Sequence, residues 1–105
     1  MSTSSTHVLD AALGRPAADL RVTLARGETL VEAQSTDADG RIRWTGDLPA
    51  GTYTLAFATG AYFARSERET FYPTVRLDVE FVATQPHYHV ALLLSPFSYT
   101  TYRGS

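Results

Sequence analysis

A chain of 105 residues is long enough for one buried core and too short for two, since a second core needs roughly another hundred residues to hide its apolar surface. The formal charge of -2, spread over interspersed acidic and basic side chains, supplies no cationic field for a polyanion and argues against nucleic-acid binding. No apolar run approaches the ~20 residues that span a bilayer, and the absence of cysteine removes disulfides, thiolate nucleophiles and thiolate metal sites together.

The polar start, Met1 to Ser5, has neither the basic head nor the apolar body of a secretory signal. It reads as a flexible lead-in to a single domain, and the expected compartment is the cytoplasm. Alternating or β-branched and aromatic-rich segments then predict strands at residues 7–11, 19–26, 28–36, 41–44, 52–59, 75–82, 88–94 and 98–103. Between them lie Gly14-Arg15-Pro16, Asp39-Gly40, Pro49-Ala50-Gly51 and Ser95-Pro96, all with turn chemistry. One helix is predicted over 60–68, with Tyr62, Phe63 and Ser66 on a common face. Eight short strands at this spacing predict an all-β sandwich of two sheets. Residues 89–94, His-Val-Ala-Leu-Leu-Leu, are apolar on both alternating faces after the histidine. Such a strand needs cover on both sides, and in a two-layer domain a second subunit can supply the outer cover.

The chemistry-bearing residues are sparse. The histidines are His7, His87 and His89, and strand periodicity puts His87 and His89 on one face with Ala91 and Leu93, while Tyr88 and Val90 face the other way. A zinc reading lacks donors, because His87 and His89 are the only local ones, and a third from His7 would still leave no carboxylate or thiolate beside them in sequence. There is no Gly-x-Ser-x-Gly elbow, and a Cys-His pair is ruled out, so a hydrolase built on this chain must activate water. Histidine suits proton transfer near neutrality, and arginine holds an anionic oxygen with fixed donors. Arg41 follows the Asp39-Gly40 turn where a loop returns to a strand. Taken one at a time, these residues also read as polar strand residues at a sheet edge and a solvated turn arginine.

Their order along the chain adds a resemblance. Thr6-His7-Val8-Leu9-Asp10 with Gly14-Arg15-Pro16-Ala17, Phe71-Tyr72-Pro73, the run from His87 through Leu94 to Ser95-Pro96-Phe97, and the ending Tyr102-Arg103-Gly104-Ser105 resemble the transthyretin-like 5-hydroxyisourate hydrolases. The resemblance covers the chain from about Thr6 onward and implies an all-β, transthyretin-like two-sheet β-sandwich of about eight strands with one short helix. It further implies a homotetramer, a dimer of dimers with active sites in a channel between the dimers. The catalytic set it implies is His7, Arg41 and His89, with Tyr102, Arg103, Gly104 and Ser105 completing the substrate pocket and His87 the lesser histidine. Neither a metal nor another cofactor is implied, and the small-molecule partner is 5-hydroxyisourate. Ala91 and Ser98 depart from the family's usual proline and glycine, and neither position supplies a catalytic group. Vertebrate transthyretin, the hormone carrier on the same scaffold, also lacks that proline, which leaves a non-catalytic small-ligand carrier as the alternative. Because the motif ends at Ser105, its carboxylate is expected inside the site.

Overall fold

In the computed structural model, which describes all 105 residues, the chain forms nine strands and one helix. They are β1 (Thr3–Asp10), β2 (Arg15–Pro16), β3 (Arg21–Arg26), β4 (Thr29–Ser35), β5 (Arg41–Arg43), β6 (Gly51–Phe57), α1 (Thr59–Ala64), β7 (Val75–Phe81), β8 (His87–Ser95) and β9 (Ser98–Gly104). One sheet has the order β2-β1-β8-β9, with β5 also pairing along β1, and the other has the order β4-β3-β6-β7. β1 pairs with β8 in parallel, and every other pairing between these strands is antiparallel. The two-sheet sandwich expected from the alternating segments is the fold observed.

The sheets close on a core to which β8 contributes Tyr88, Val90, Leu92 and Leu94, β3 Val22 and Leu24, β6 Tyr53, Leu55 and Phe57, and α1 Phe63. Phe81 lies between two rings, stacked on Tyr53 at 4.9 Å and on Tyr88 at 4.5 Å between centroids. Ala91, on the opposite face of β8, is also buried, while Leu93 is half-buried. The strand that reads as apolar on both faces is therefore fully covered on its core side, while on its outer face only Ala91 is buried.

Three sequence expectations need correction. The first strand begins at Thr3 and not at His7, so Met1 to Ser5 is no flexible lead-in: Ser2 bridges to Leu48, and Thr3, Ser4 and Ser5 pair with His87, Tyr88 and His89. Hydroxyl side chains hid this strand, because the segment has no apolar alternation even though Ser2, Ser4 and Thr6 are buried. A ninth, two-residue strand, Arg15–Pro16, forms within the segment read as a turn and pairs with the end of β1. The helix stops at Ala64, short of the predicted Arg68. Glu67 takes φ 57, its N–H bonds the Ala64 carbonyl, and the Arg68 N–H reaches back to Phe63. That pattern closes a helix with a left-handed residue, here a glutamate where glycine is commonest.

The helix ending delivers Arg68 to the far end of β1. Asp10 is fully buried on the core face, where its carboxylate accepts from Arg68 Nη2 at 2.7 Å, the Tyr62 hydroxyl at 2.7 Å and the Leu13 N–H at 3.0 Å. Burial alone would raise the Asp10 pKa, but these hydrogen bonds and the Arg68 charge outweigh it and hold the pKa below the ordinary value. Asp10→Asn is expected to cost about 3 kcal/mol of stability near neutrality, because it leaves the Arg68 guanidinium without its counter-charge. A depressed carboxylate pKa adds stability that is whole above the unfolded value of about 3.8 and is lost as pH falls through the lower folded value. The gap between wild type and Asp10→Asn in urea unfolding should therefore close on acidification below that range. A gap independent of pH would show that the ion pair contributes nothing.

Candidate active site

Strand register assembles the polar groups on the outer face of the β1-β8 sheet. Across the sheet, one row runs Arg43, Ser5, His89, Gly104, and the next runs Arg41, His7, Ala91, Tyr102. A third places Thr3 beside His87. Residues two apart on a strand share a face and lie roughly 6.7 Å apart along it, and the His7 and His89 ring centroids are 6.5 Å apart. A cavity of about 430 Å³ opens over these rows, with Arg41, Arg43, His87, His89 and Ser105 on its wall and Ile42 its one hydrophobic lining residue.

Arg41 is held by the turn before it. Asp37 Oδ1 accepts the N–H groups of Asp39 and Arg41, each at 2.9 Å, and the Gly40 carbonyl accepts the Val8 N–H at 2.8 Å. Gly40 has φ 74, and a β-carbon there would lie 2.4 Å from the Val8 carbonyl oxygen. Only glycine fits, and the tight approach sets Arg41 opposite His7. Gly104 has a similar steric role toward His89, since a β-carbon at Gly104 would stand 2.5 Å from the imidazole Cδ2.

The histidines differ in their partners. Both nitrogens of His87 are engaged, Nδ1 with the Thr3 hydroxyl at 2.6 Å and Nε2 with the Ser5 hydroxyl at 3.1 Å. His89 uses Nδ1 toward the same Ser5 hydroxyl at 2.8 Å, and its Nε2 has no hydrogen-bond partner in the chain. Burial lowers the His89 pKa from its ordinary value, and the positive charges of His7, Arg41 and His87 lower it further. An imidazole kept neutral, with one nitrogen uncommitted, is suited to accept a proton.

The expected residues thus converge in part. His89, Arg41 and Ser105 line the cavity, His7 stands beside His89, and Gly104 packs on the His89 ring. Tyr102 falls in the row of His7 but does not line that cavity. Arg103 departs from expectation: it pairs with Val90, and with Tyr102 it lines a second cavity beside Phe81 and Tyr88. Alternation along β9 puts its side chain on the face opposite Gly104, so it does not join the cluster of its own chain. Ser5, Arg43 and Asp37 were not singled out from sequence. The signal for Ser5 was its spacing, two residues before His7 on what proves to be the same strand. No group of three or more His, Cys, Asp or Glu side chains is placed to hold a metal ion.

In an NMR titration, His89 is expected to protonate below the ordinary histidine value of 6.5, and Arg41→Gln should move its midpoint upward by removing a repelling cation. A midpoint at or above 6.5 in the wild type would contradict this geometry.

Comparison with known proteins bears on the same arrangement. The chain matches the HIUase/Transthyretin family over residues 4–104. It is 43% identical to the 5-hydroxyisourate hydrolase of Caulobacter vibrioides, with 100% of both chains covered. The structure of Klebsiella pneumoniae 5-hydroxyisourate hydrolase superposes with a TM-score of 0.94 at 40% identity, covering 100% of this chain and 94% of that one. Sea bream transthyretin in complex with thyroxine gives a TM-score of 0.89 at 32% identity, covering 96% of this chain and 93% of that one. On this agreement of sequence and fold, the chain belongs to the HIUase/Transthyretin family.

Proposed function

We propose that this chain is a 5-hydroxyisourate hydrolase that opens the cyclic amide of its substrate in urate degradation, with no metal and no covalent intermediate. The observation that carries the reading is the uncommitted Nε2 of a neutral-leaning His89, set beside His7 and Arg41 over a polar cavity. In the proposed reaction a water molecule attacks the amide carbonyl carbon and gives its proton to His89. The carbonyl oxygen becomes an oxyanion held by Arg41. As the C–N bond breaks, a proton passes from the histidine pair to the leaving nitrogen, so the ring opens to a carboxyl group and a ureido group, giving 2-oxo-4-hydroxy-4-carboxy-5-ureidoimidazoline. Acid-base help of this kind contributes ~10²–10⁴-fold and each oxyanion donor ~10²–10³-fold. Ser105 and Gly104 are assigned to the substrate side of the pocket, and Tyr102 and Arg103, which line the second cavity, are left out of the contacts made by their own chain.

The competing reading is a small-ligand carrier, since transthyretin shares the scaffold. A carrier pocket is mainly apolar with a few orienting groups. Here only Ile42 is hydrophobic among the residues lining the cavity, which favours chemistry. The proposal keeps the cytoplasm as the setting and the homotetramer, a dimer of dimers, as the working form. β7 and β9 are sheet edges, and Phe71 and Phe97 are exposed apolar side chains available for burial between subunits. No helix is long and apolar enough to cross a membrane.

The direct test is whether purified protein accelerates the loss of freshly generated 5-hydroxyisourate, followed by ultraviolet absorbance. Arg41→Lys is expected to lose most of the rate while staying folded, because lysine keeps the charge but not the planar fork. His89→Asn should cost much more than His87→Asn, whose two nitrogens are already engaged. Decay no faster than the spontaneous rate would favour the carrier, and equal losses for the two histidine variants would refute the choice of His89. For the assembly, the mass in solution should correspond to four chains, with activity falling on dilution. A fully active monomer would exclude shared sites.

A further inference from the structure

The hydroxyls of Thr3 and Ser5 join the two β8 histidines into one chain of hydrogen bonds. It runs from the Pro86 carbonyl through Thr3 Oγ1, His87 Nδ1 and Nε2, and Ser5 Oγ to His89 Nδ1, with separations of 3.4, 2.6, 3.1 and 2.8 Å at its four contacts. Every link lies on the outer face of β1 and β8, and the parallel register repeats the pairing two residues along, Thr3 with His87 and Ser5 with His89.

Such a chain has a direction. A hydroxyl has a single proton to donate, and a neutral imidazole carries a proton on one nitrogen and a lone pair on the other. Thr3 has one proton and two acceptors within reach, the Pro86 carbonyl at 3.4 Å and His87 Nδ1 at 2.6 Å, and all four contacts are made together only when that proton goes to the carbonyl, which can only accept, and Thr3 Oγ1 receives the Nδ1–H of His87. His87 Nε2 is then a lone pair that accepts the Ser5 proton. Ser5 Oγ in turn receives the Nδ1–H of His89. This leaves the His89 proton on Nδ1 and a lone pair on Nε2, the nitrogen without a partner in the chain. The opposite direction puts a proton on Nε2, so the direction decides whether this nitrogen meets substrate as a base or as an acid.

We infer that Ser5, and behind it His87 and Thr3, are positioning residues that fix His89 in the tautomer whose Nε2 is free to take a proton. That tautomer serves the hydrolysis proposed above, and in that respect the inference rests on the hydrolase reading. The same chain gives His87 a role without substrate contact. When His89 takes a proton at Nε2, its Nδ1 proton can pass to Ser5 Oγ as the Ser5 proton passes to His87 Nε2. The charge then rests on His87, both of whose nitrogens keep an oxygen acceptor. No bond other than N–H and O–H bonds changes in this transfer, and protons balance at every step.

The test reads the tautomer directly. In ring ¹⁵N spectra of the intact protein above the histidine titration range, wild-type His89 is expected to show a protonated Nδ1 and an unprotonated Nε2, and His87 likewise. Ser5→Ala should release His89 into a mixture of tautomers and lower kcat about ten-fold with little change in KM, the usual scale for losing a group that orients a functional imidazole. Ser5→Thr keeps the hydroxyl on a β-strand and should restore both the tautomer and most of the rate. Thr3→Val removes the far end of the chain and should mix the tautomers of His87. A wild-type His89 protonated on Nε2, or a Ser5→Ala protein with the tautomer unchanged, overturns the inference. If the protein fails to hydrolyse 5-hydroxyisourate while the spectra show the lock and its loss in Ser5→Ala, the tautomer assignment stands and the hydrolase reading is the one that fails.

Discussion

β1 and β8 run side by side in parallel from Thr3 opposite His87 to Asp10 opposite Leu94, and the polar cluster depends on that register. A strand shows alternate residues to opposite faces, so a slip of one position would turn Ser5 and His7 into the core and bring Thr6 and Val8 out. The buried side chains forbid that slip. Val8 packs in the core with Val90 and Leu92, and Thr6 donates its hydroxyl proton to the Val90 carbonyl at 2.6 Å. Core packing on one face of the pair thereby sets the geometry of the histidines on the other.

The β1-β8 pair carries two ionisable clusters under opposite electrostatic rules. At its inner end Asp10 is buried against a cation and two neutral donors, and the charged form wins. On the outer face of the pair, β8 holds His89 partly buried beside the positive charges of His7, Arg41 and His87, and the neutral form is favoured. Burial penalises charge in both places. What differs is the sign of the neighbours, and that difference makes the first cluster structural and leaves the second able to move a proton.

Steric exactness at the site comes from backbone rather than from side chains. Gly40 and Gly104 stand where a β-carbon would strike, respectively, the Val8 carbonyl and the His89 ring. Each lets a neighbouring strand approach closely enough to bring its partner into the cluster, Arg41 through the turn and Ser105 through the end of β9. The cavity is thus walled by residues far apart in sequence, from 5–6, 37–43, 87–89 and the terminal Ser105.

Much of this was legible in the sequence. Alternation in the stretches around β3, β6, β7 and β8 specified strands and their inward faces, because apolar side chains at a period of two have only one way to leave water together. Motif order specified the family and pointed to His7, Arg41 and His89. The residues around them were not legible for a physical reason: hydroxyl side chains carry little hydrophobic signal, so Thr3 to Ser5 looked like a loose end until β8 supplied a partner strand. Local pattern also could not say that His87 spends both nitrogens on hydroxyls while His89 spends one, or that Ser5 stands beside His89 and His7 beside Ala91. Those distinctions depend on register between strands more than eighty residues apart. Side-chain chemistry was the sequence's own; which atoms met was decided by the folding of the sheet.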